Sequence, residues 1–262
     1  MRTNRLPYLC LIGVFLALSA CSQSEGPGET STVKDDADTS EAAAVAGTAG
    51  LQLQALEWRN IGPFNGGRGT TVVGHPTDKM VFYFGHSSGG LWKTEDAGTI
   101  WEQVGAGQFN YASVGAMAIS ESNPDIMYVG LGEPQLRQSV SWGDGMYKSV
   151  DGGVTWEHIG LDDALHIARV RVHPYNPDIV YVASMGHAFG PNEEKGVFRT
   201  QDGGESWERV LFKNEGTGAI DLIMSPDDPN LLFAALWEFE RKAWGAKTGG
   251  PDSGIWRSRD GG

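Results

Sequence analysis

The sequence predicts an all-β chain built as a β-propeller of four-stranded blades. Three observations lead there. Glycine is plentiful, at 37 of 262 residues, about twice the usual share of roughly 7%. One tight-turn signature recurs at even spacing, and a second turn recurs in register between its copies. Abundant glycine with 10% aromatic residues favours short strands joined by tight turns. A hydrophobic content of 40% excludes a wholly disordered chain, and the absence of a Gly-X-Y period excludes collagen. The formal charge is −13, from 20 basic and 33 acidic residues. Nucleic acid is therefore excluded as a partner, because its phosphates require a basic stripe, and the same repulsion disfavours electrostatic docking on anionic lipid.

At the start, Arg2 and Arg5 precede an apolar run from Tyr8 to Leu18, too short to span a bilayer with these flanks. The run ends Leu18-Ser19-Ala20-Cys21. These four residues resemble the lipobox of bacterial lipoproteins. The resemblance implies that residues 1–20 are a signal peptide and that Cys21 becomes a lipidated N-terminus, with Ser22 favouring transport to the outer membrane. Cys10 leaves with the signal, so the mature chain keeps no thiol for a disulfide, a Cys-based zinc site or a catalytic nucleophile. Residues 21–50 read as a disordered acidic tether: Glu25, Glu29, Asp35, Asp36, Asp38 and Glu41 stand against Lys34 alone, with no aromatic residue. The propeller is expected over residues 51–262.

Four segments of that region align. They are Leu91 to Trp101, Met146 to Trp156, Val197 to Trp207, and Ile255 to Gly262. Their shared form is apolar-aromatic-basic-Ser/Thr-x-Asp-x-Gly-x-x-Trp, although Leu91 to Trp101 and its successors vary at single positions. The aspartates Asp96, Asp151, Asp202 and Asp260 lie 55, 51 and 58 residues apart. Between them recur His75-Pro76-Thr77-Asp78, Ser122-Asn123-Pro124-Asp125, Asn176-Pro177-Asp178 and Asp227-Asp228-Pro229-Asn230. Alternating strands precede three of these turns, over Val114 to Ile119, Ala168 to Val172 and Ala219 to Met224. Apolar strands follow all four, over Met80 to Phe84, Ile126 to Gly130, Ile179 to Ala183 and Leu231 to Leu236. Four strands every fifty-odd residues make the unit of a propeller blade. The last blade stops before its outer strand, so the chain reads as the N-terminal part of a longer protein, an open arc with an unpaired edge.

The Ser/Thr-x-Asp-x-Gly-x-x-Trp segments resemble Asp boxes, or BNR repeats, of sialidases, xyloglucanases, sortilin-type receptors and a photosystem assembly factor. The stretches Trp58 to Arg68, Gly89 to Thr94 and Gly130 to Glu133 are similar to the start of large bacterial proteins of the sortilin-like or glycosyl-hydrolase-like kind. The resemblance implies the fold more firmly than an activity. In physical terms the aspartate of such a turn accepts backbone N–H groups just ahead of it, glycine supplies positive φ, the hydroxyl makes a second local bond, and the tryptophan packs beneath the hairpin. Asp96, Asp151, Asp202 and Asp260 are accordingly read as structural.

With each blade's strands labelled A to D from the axis outward, the two recurrent turns share one face. The B–C loops and D–A connections then share the opposite face, where loops from several blades converge on one hollow. Candidate ligand-binding residues there are Arg68, His86, Glu133, Arg137, Trp142, His166, His187 and Trp244. Glu133, which begins a loop directly after a strand, and Asp221 are the candidate catalytic carboxylates. A salt-bridged rim is the plainer role for Glu133, with Arg137 four residues on. His86, His166 and His187 come from successive blades, but nothing in their spacing demands a metal, and no cofactor is expected. Trp142 and Trp244 suit either stacking on sugar rings or anchoring their loops.

The main functional reading is a lipid-anchored extracytoplasmic propeller that binds a peptide, protein or glycan through this loop face. The alternative is a glycoside hydrolase of the Asp-box propeller type acting on a polysaccharide. Two departures weigh against carrying an activity over from the resembling families. The early Arg-Ile-Pro motif of sialidases is missing. Gly85-His86-Ser87-Ser88-Gly89-Gly90 also lacks the carboxylate that xyloglucanases place ahead of their early Gly-Gly pair.

Overall fold

The computed structural model describes residues 67–262. The expected signal peptide, Cys21, the tether and residues 51–66 lie outside the described residues. Sixteen strands follow one another and form four antiparallel sheets. Blade 1 holds β1 (Gly69–Gly74), β2 (Phe82–His86), β3 (Gly90–Thr94) and β4 (Glu102–Val104). Blade 2 holds β5 (Val114–Ile119), β6 (Met127–Leu131), β7 (Met146–Ser149) and β8 (Glu157–His158). Blade 3 holds β9 (Ile167–His173), β10 (Asn176–Ser184), β11 (Gly196–Thr200) and β12 (Glu208–Leu211). Blade 4 holds β13 (Thr217–Met224), β14 (Leu232–Lys242), β15 (Gly245–Thr248) and β16 (Gly254–Ser258).

The first three blades are plain meanders, each strand pairing with the next. Blade 4 departs from the expected pattern. Its second strand does not end at Leu236 but runs on to Lys242, turns through Ala243 and Trp244, and pairs with β15 from Lys242↔Gly245 to Phe239↔Thr248. The stretch beyond Leu236 that carries Trp244, expected as a loop, is thus largely a hairpin. The alternation Trp237, Phe239 against Glu238, Glu240 is a strand period, and it carries the pairing past the blade. The part of β14 that belongs to the blade pairs with β16 instead, from Leu232↔Ser258 to Leu236↔Gly254.

The recurrent Asp turns are built alike. Thr94, Ser149, Thr200 and Ser258 each donate a hydroxyl hydrogen bond of 2.6–2.8 Å to the aspartate two residues on. Each hydroxyl then accepts the N–H of the glycine four residues ahead, at 2.7–2.9 Å. That glycine has φ between 90° and 103° in all four turns, a region open to glycine at little steric cost. The turn is also stitched to the other recurrent turn. The backbone N–H groups of Ala97, Gly152, Gly203 and Gly261 donate to the carbonyls of Met80, Asp125, Asp178 and Asn230. Both sets of turns therefore sit at one end of the blades. At the other end, Ser87, Gly132 and Met185 donate to carbonyls of Arg68, Ser113 and His166.

The core lies between blades rather than within them. One cluster joins Tyr83 and Leu91 to Val114, Met127 and Trp156. A second joins Tyr128 and Met146 to Ile167, Val182 and Phe198, and a third joins Tyr181 and Val197 to Leu222, Leu232 and Leu236. The turn tryptophans Trp101 and Trp156 sit under their own hairpins, their indoles donating to the Gly98 and Gly153 carbonyls, and Trp156 and Trp207 also pack into the cluster shared with the preceding blade. Trp207 even donates its indole N–H to Ile159 of that blade, at 2.7 Å. Tyr83, Tyr128 and Tyr181 reach the other way, their hydroxyls donating to Gly152, Pro177 and Gly261 of the next blade. The repeat's basic position follows these tyrosines: Lys93 and Lys148 lie over the rings of Tyr83 and Tyr128, 5.8 and 5.6 Å from their centroids.

Neighbouring blades touch most closely through small residues. A Cβ on Gly130 would lie 2.2 Å from Cγ2 of Ile167, and one on Gly85 would lie 2.6 Å from Cγ1 of Val114. Just beyond each such contact, every first strand carries one extra residue relative to its partner: Thr70, Gly115, Ala168 and Ile220. These are four β-bulges at equivalent positions, a device that bends a strand and re-aims its side chains.

Hydrogen bonds from the side chain and backbone of Thr155, and from Ser149, hold the Asp151 carboxyl down from 3.8 to about 2. Since the folded value is the lower one, its stabilisation is complete above about pH 3.8 and lost as the pH falls toward 2. We expect the melting temperature to drop across that window, and Asp151→Asn to shrink the drop. Parallel melting curves for the two proteins would show that the turn's charge contributes nothing.

Candidate functional site

The bulges open onto a cavity of about 570 Å³ at the loop end of the inner strands. Thr70, Ala168 and Ile220, three of the four bulge residues, line it together with Arg137, Arg169, Asp221 and Trp237. A second cavity, of about 500 Å³, lies at the turn end and is lined by Val72, Met117, Arg171 and Met224. Arg169 and Arg171, two residues apart on β9, thus serve opposite ends of the inner strands.

Three expected site residues meet at one point. Glu133 follows β6 and its side chain is fully buried. The Arg68 guanidinium holds it with two bonds, Nε to Oε1 and Nη2 to Oε2, the latter at 2.5 Å. Arg68 Nη2 also donates to the Ser139 carbonyl, fixing the loop that carries Arg137. Arg137 comes within 3.9 Å of Glu133 Oε1, too far for a hydrogen bond. The bridge joins blade 1 to blade 2. A matching bridge joins blade 3 to blade 4, where Arg169 Nε donates to Asp221 Oδ1 at 2.7 Å. Burial acts to raise the Asp221 carboxyl, but the bond from Arg169 and the N–H of Leu222 outweigh it and leave the group below its ordinary range.

The histidines do not converge. His86 is buried, and its Nδ1 accepts the N–H of Ser88 at 3.2 Å. Burial, and then the charge of Arg68, lower its pKa. His166 is fully buried between blades, and burial pushes it down to about 4, against the pull of the Glu133 backbone. Both rings are thus held neutral at pH 7. His187 is half-buried and bonds Asp163 Oδ1 at 2.8 Å. Among the described residues no group of three or more His, Cys, Asp or Glu is placed to hold a metal ion. His187 belongs instead to a knot in the third loop, where Asn192 bonds the other oxygen of Asp163 at 2.6 Å and buried Lys195 donates to Gly190 at 3.3 Å.

The two loop tryptophans stand away from the cavity wall. Trp142 is 53% exposed, and Trp244, at the tip of the β14–β15 hairpin, is 85% exposed. The aromatic residue that does line the cavity is Trp237, whose ring lies 4.6 Å from that of Phe239. Sequence reasoning passed over Trp237 because its strand was expected to end at Leu236. It also passed over Thr70, whose hydroxyl lies 2.5 Å from the Val114 carbonyl and 3.0 Å from that of Gly85.

Similarity to solved structures settles the architecture. The chain superposes on an ancestral GH74 enzyme with a TM-score of 0.58 and 22% identity, over 79% of this chain and 25% of that one. It superposes on the GH74 xyloglucanase of Xanthomonas campestris with a TM-score of 0.53 and 17% identity, over 73% of this chain and 28% of that one. The fold is a β-propeller. Among curated proteins it is 27% identical over 193 residues to a xyloglucanase of Hypocrea jecorina, which is 67% of this chain and 21% of that protein. It is 23% identical over 214 residues to the xyloglucanase Xgh74A of Acetivibrio thermocellus, 52% of this chain and 24% of that protein. The chain therefore spans between a fifth and a quarter of the length of these relatives. No family model matches it.

The Arg68–Glu133 bridge yields a stability test. Arg68→Met strands a buried carboxylate and is expected to cost about 3 kcal/mol in urea unfolding. The double variant Arg68→Met/Glu133→Leu should recover most of that loss. If the double variant is as unstable as the single one, packing rather than charge pairing is what Arg68 supplies.

Proposed function

We propose that this chain is part of a glycoside-hydrolase-like propeller that acts on a polysaccharide held in the cavity at the loop end of its inner strands. The observation that carries the reading is that cavity itself: a hollow with an aromatic wall at Trp237 and polar groups converging from Arg137, Arg169 and Asp221. The likeness to proteins named xyloglucanases supports a glycan as the ligand class. Glycoside hydrolysis of the common kinds uses two carboxyl groups, about 5 Å apart for retention or about 6.5–9.5 Å for inversion. Asp221 lines the cavity, and its pairing with Arg169 keeps it ionised, which suits a nucleophile or base rather than an acid.

A second reading is recognition of a glycan, peptide or protein without turnover. It is favoured by the state of the two candidate carboxylates. Glu133 is sealed under Arg68, and Asp221 is paired, so among the described residues neither is a free acid at the cavity. Reducing-sugar release from xyloglucan and other β-glucans, with ligand binding followed on the same protein, separates the two. Under the hydrolase reading, Asp221→Asn lowers release at least ~100-fold, in the range general acid–base groups contribute, in protein whose melting curve shows it still folded despite the lost pair with Arg169. Saturable binding without product supports recognition instead. Release untouched by Asp221→Asn removes Asp221 from the chemistry.

We further propose that the protein is anchored in a bacterial cell envelope, on the outer membrane, through lipid on Cys21. The basic start, short apolar run and Leu-Ser-Ala-Cys ending support this. Cys21→Ser should abolish incorporation of labelled palmitate and release the protein from the membrane fraction. A variant that stays membrane-bound, beside a native protein that takes no label, would reject the anchor.

A further inference from the structure

We infer that the loop-end cavity takes an acidic glycan, a polysaccharide whose sugars carry carboxylates, with Arg137 and Arg169 gripping the carboxylate and Trp237 meeting the sugar face. This rests on the reading of the cavity as a glycan site and narrows the class of glycan.

The chain as a whole is strongly acidic, with 33 acidic against 20 basic residues. The inner strands and the loop above them reverse that balance. Three guanidiniums, Arg68, Arg137 and Arg169, face the two carboxylates Glu133 and Asp221. The surplus is local and has donors to spare. Arg68 alone satisfies Glu133 with two bonds, so Arg137, arriving at 3.9 Å, is a second cation on an occupied carboxylate. It makes no hydrogen bond to any described residue, is 54% exposed at its side chain, and lines the cavity. Arg169 spends only Nε on Asp221, so among the described residues both terminal nitrogens are left without an acceptor beside the same cavity. A guanidinium with a free edge presents two parallel N–H donors, the geometry that a carboxylate accepts bidentately. A neutral sugar hydroxyl offers no such match.

Trp237 selects among carboxylates. It lines the wall that holds Arg169 and Asp221, and it is backed at 4.6 Å by Phe239, which keeps the indole in place. A flat apolar ring beside paired cationic donors suits a pyranose that carries its carboxylate at the ring's edge. Ile220 at its bulge and Leu136 in the loop add apolar surface to the same wall.

The test titrates the full chain, by calorimetry, with oligogalacturonides and with the same oligomers methyl-esterified, which keeps the backbone and removes the charge. The acid form should bind at least ~10-fold tighter, as charge-assisted hydrogen bonds do. That advantage should fade at about 1 M salt, where the screening length is ~3 Å. Arg137→Gln should erase most of it with little change in melting temperature, since Arg137 makes no hydrogen bond to any described residue and Arg68 already pairs with Glu133. Arg169→Gln is the second variant, with melting followed because it unpairs Asp221. Equal or tighter binding of the ester would overturn the acidic class and leave a neutral-glycan site standing. No binding of either oligomer, nor of xyloglucan oligosaccharides, would overturn the glycan reading itself. An acid preference that survives both arginine variants would place the carboxylate elsewhere and overturn the assignment to this cavity.

Discussion

Backbone-close contact between neighbouring blades is the constraint from which the rest follows. Ile167 can sit against Gly130, and Val114 against Gly85, only because no Cβ intervenes. The same closeness brings the carbonyls of Gly132 and Ile167 to within 2.3 Å of where a side chain on Gly115 would begin. Packing at interior density around these points leaves little room for water. Glu133 is buried for that reason, and it persists there as a charge because Arg68 crosses from the neighbouring blade to pair with it. Past the contact, one extra residue in each inner strand turns the chain away, and the cavity begins where the strands part.

The two repeated devices of the fold work at opposite ends of the blade. At one end, hydroxyl, aspartate and glycine close the third-to-fourth strand turn and bind it to the first-to-second strand turn. The hydroxyl, carboxylate and backbone groups of these turns are spent on the fold. At the other end, among the described residues, the bulges and uneven loops leave donors without hydrogen-bond acceptors: the terminal nitrogens of Arg169 and the guanidinium of Arg137, which only approaches Glu133 at 3.9 Å. Structural economy at one end and spare donors at the other are what divide scaffold from site.

Much of this division is legible in the sequence. The Asp turns are spelled out by residue type at fixed spacing, because each role in them is local. The strands between them follow from period and turn chemistry, and Val114 to Ile119 is found as read. The bulges are not legible, since Thr70, Gly115, Ala168 and Ile220 share no property. They exist only as a mismatch between two strands. The bridges Arg68–Glu133 and Arg169–Asp221 join residues 65 and 52 positions apart, beyond any local pattern. Loop membership brings the right residues to the right end, but it does not tell Trp237 on the wall from Trp244 at the hairpin tip. That distinction depends on where β14 stops pairing with β16 and starts pairing with β15.

The placement of the core between blades also governs how the molecule comes apart. With each apolar cluster shared by adjacent blades, stability is close to a sum of nearest-neighbour terms, as in linear arrays. Among the described residues, blades 2 and 3 have a cluster on both sides, while blades 1 and 4 have one each. The cavity draws Thr70 from blade 1, Arg137 from the loop of blade 2, Arg169 from blade 3, and Asp221 and Trp237 from blade 4. Its wall is therefore assembled from all four described blades, and a shift of any one blade against its neighbour would disperse the cavity while leaving the sheets themselves intact.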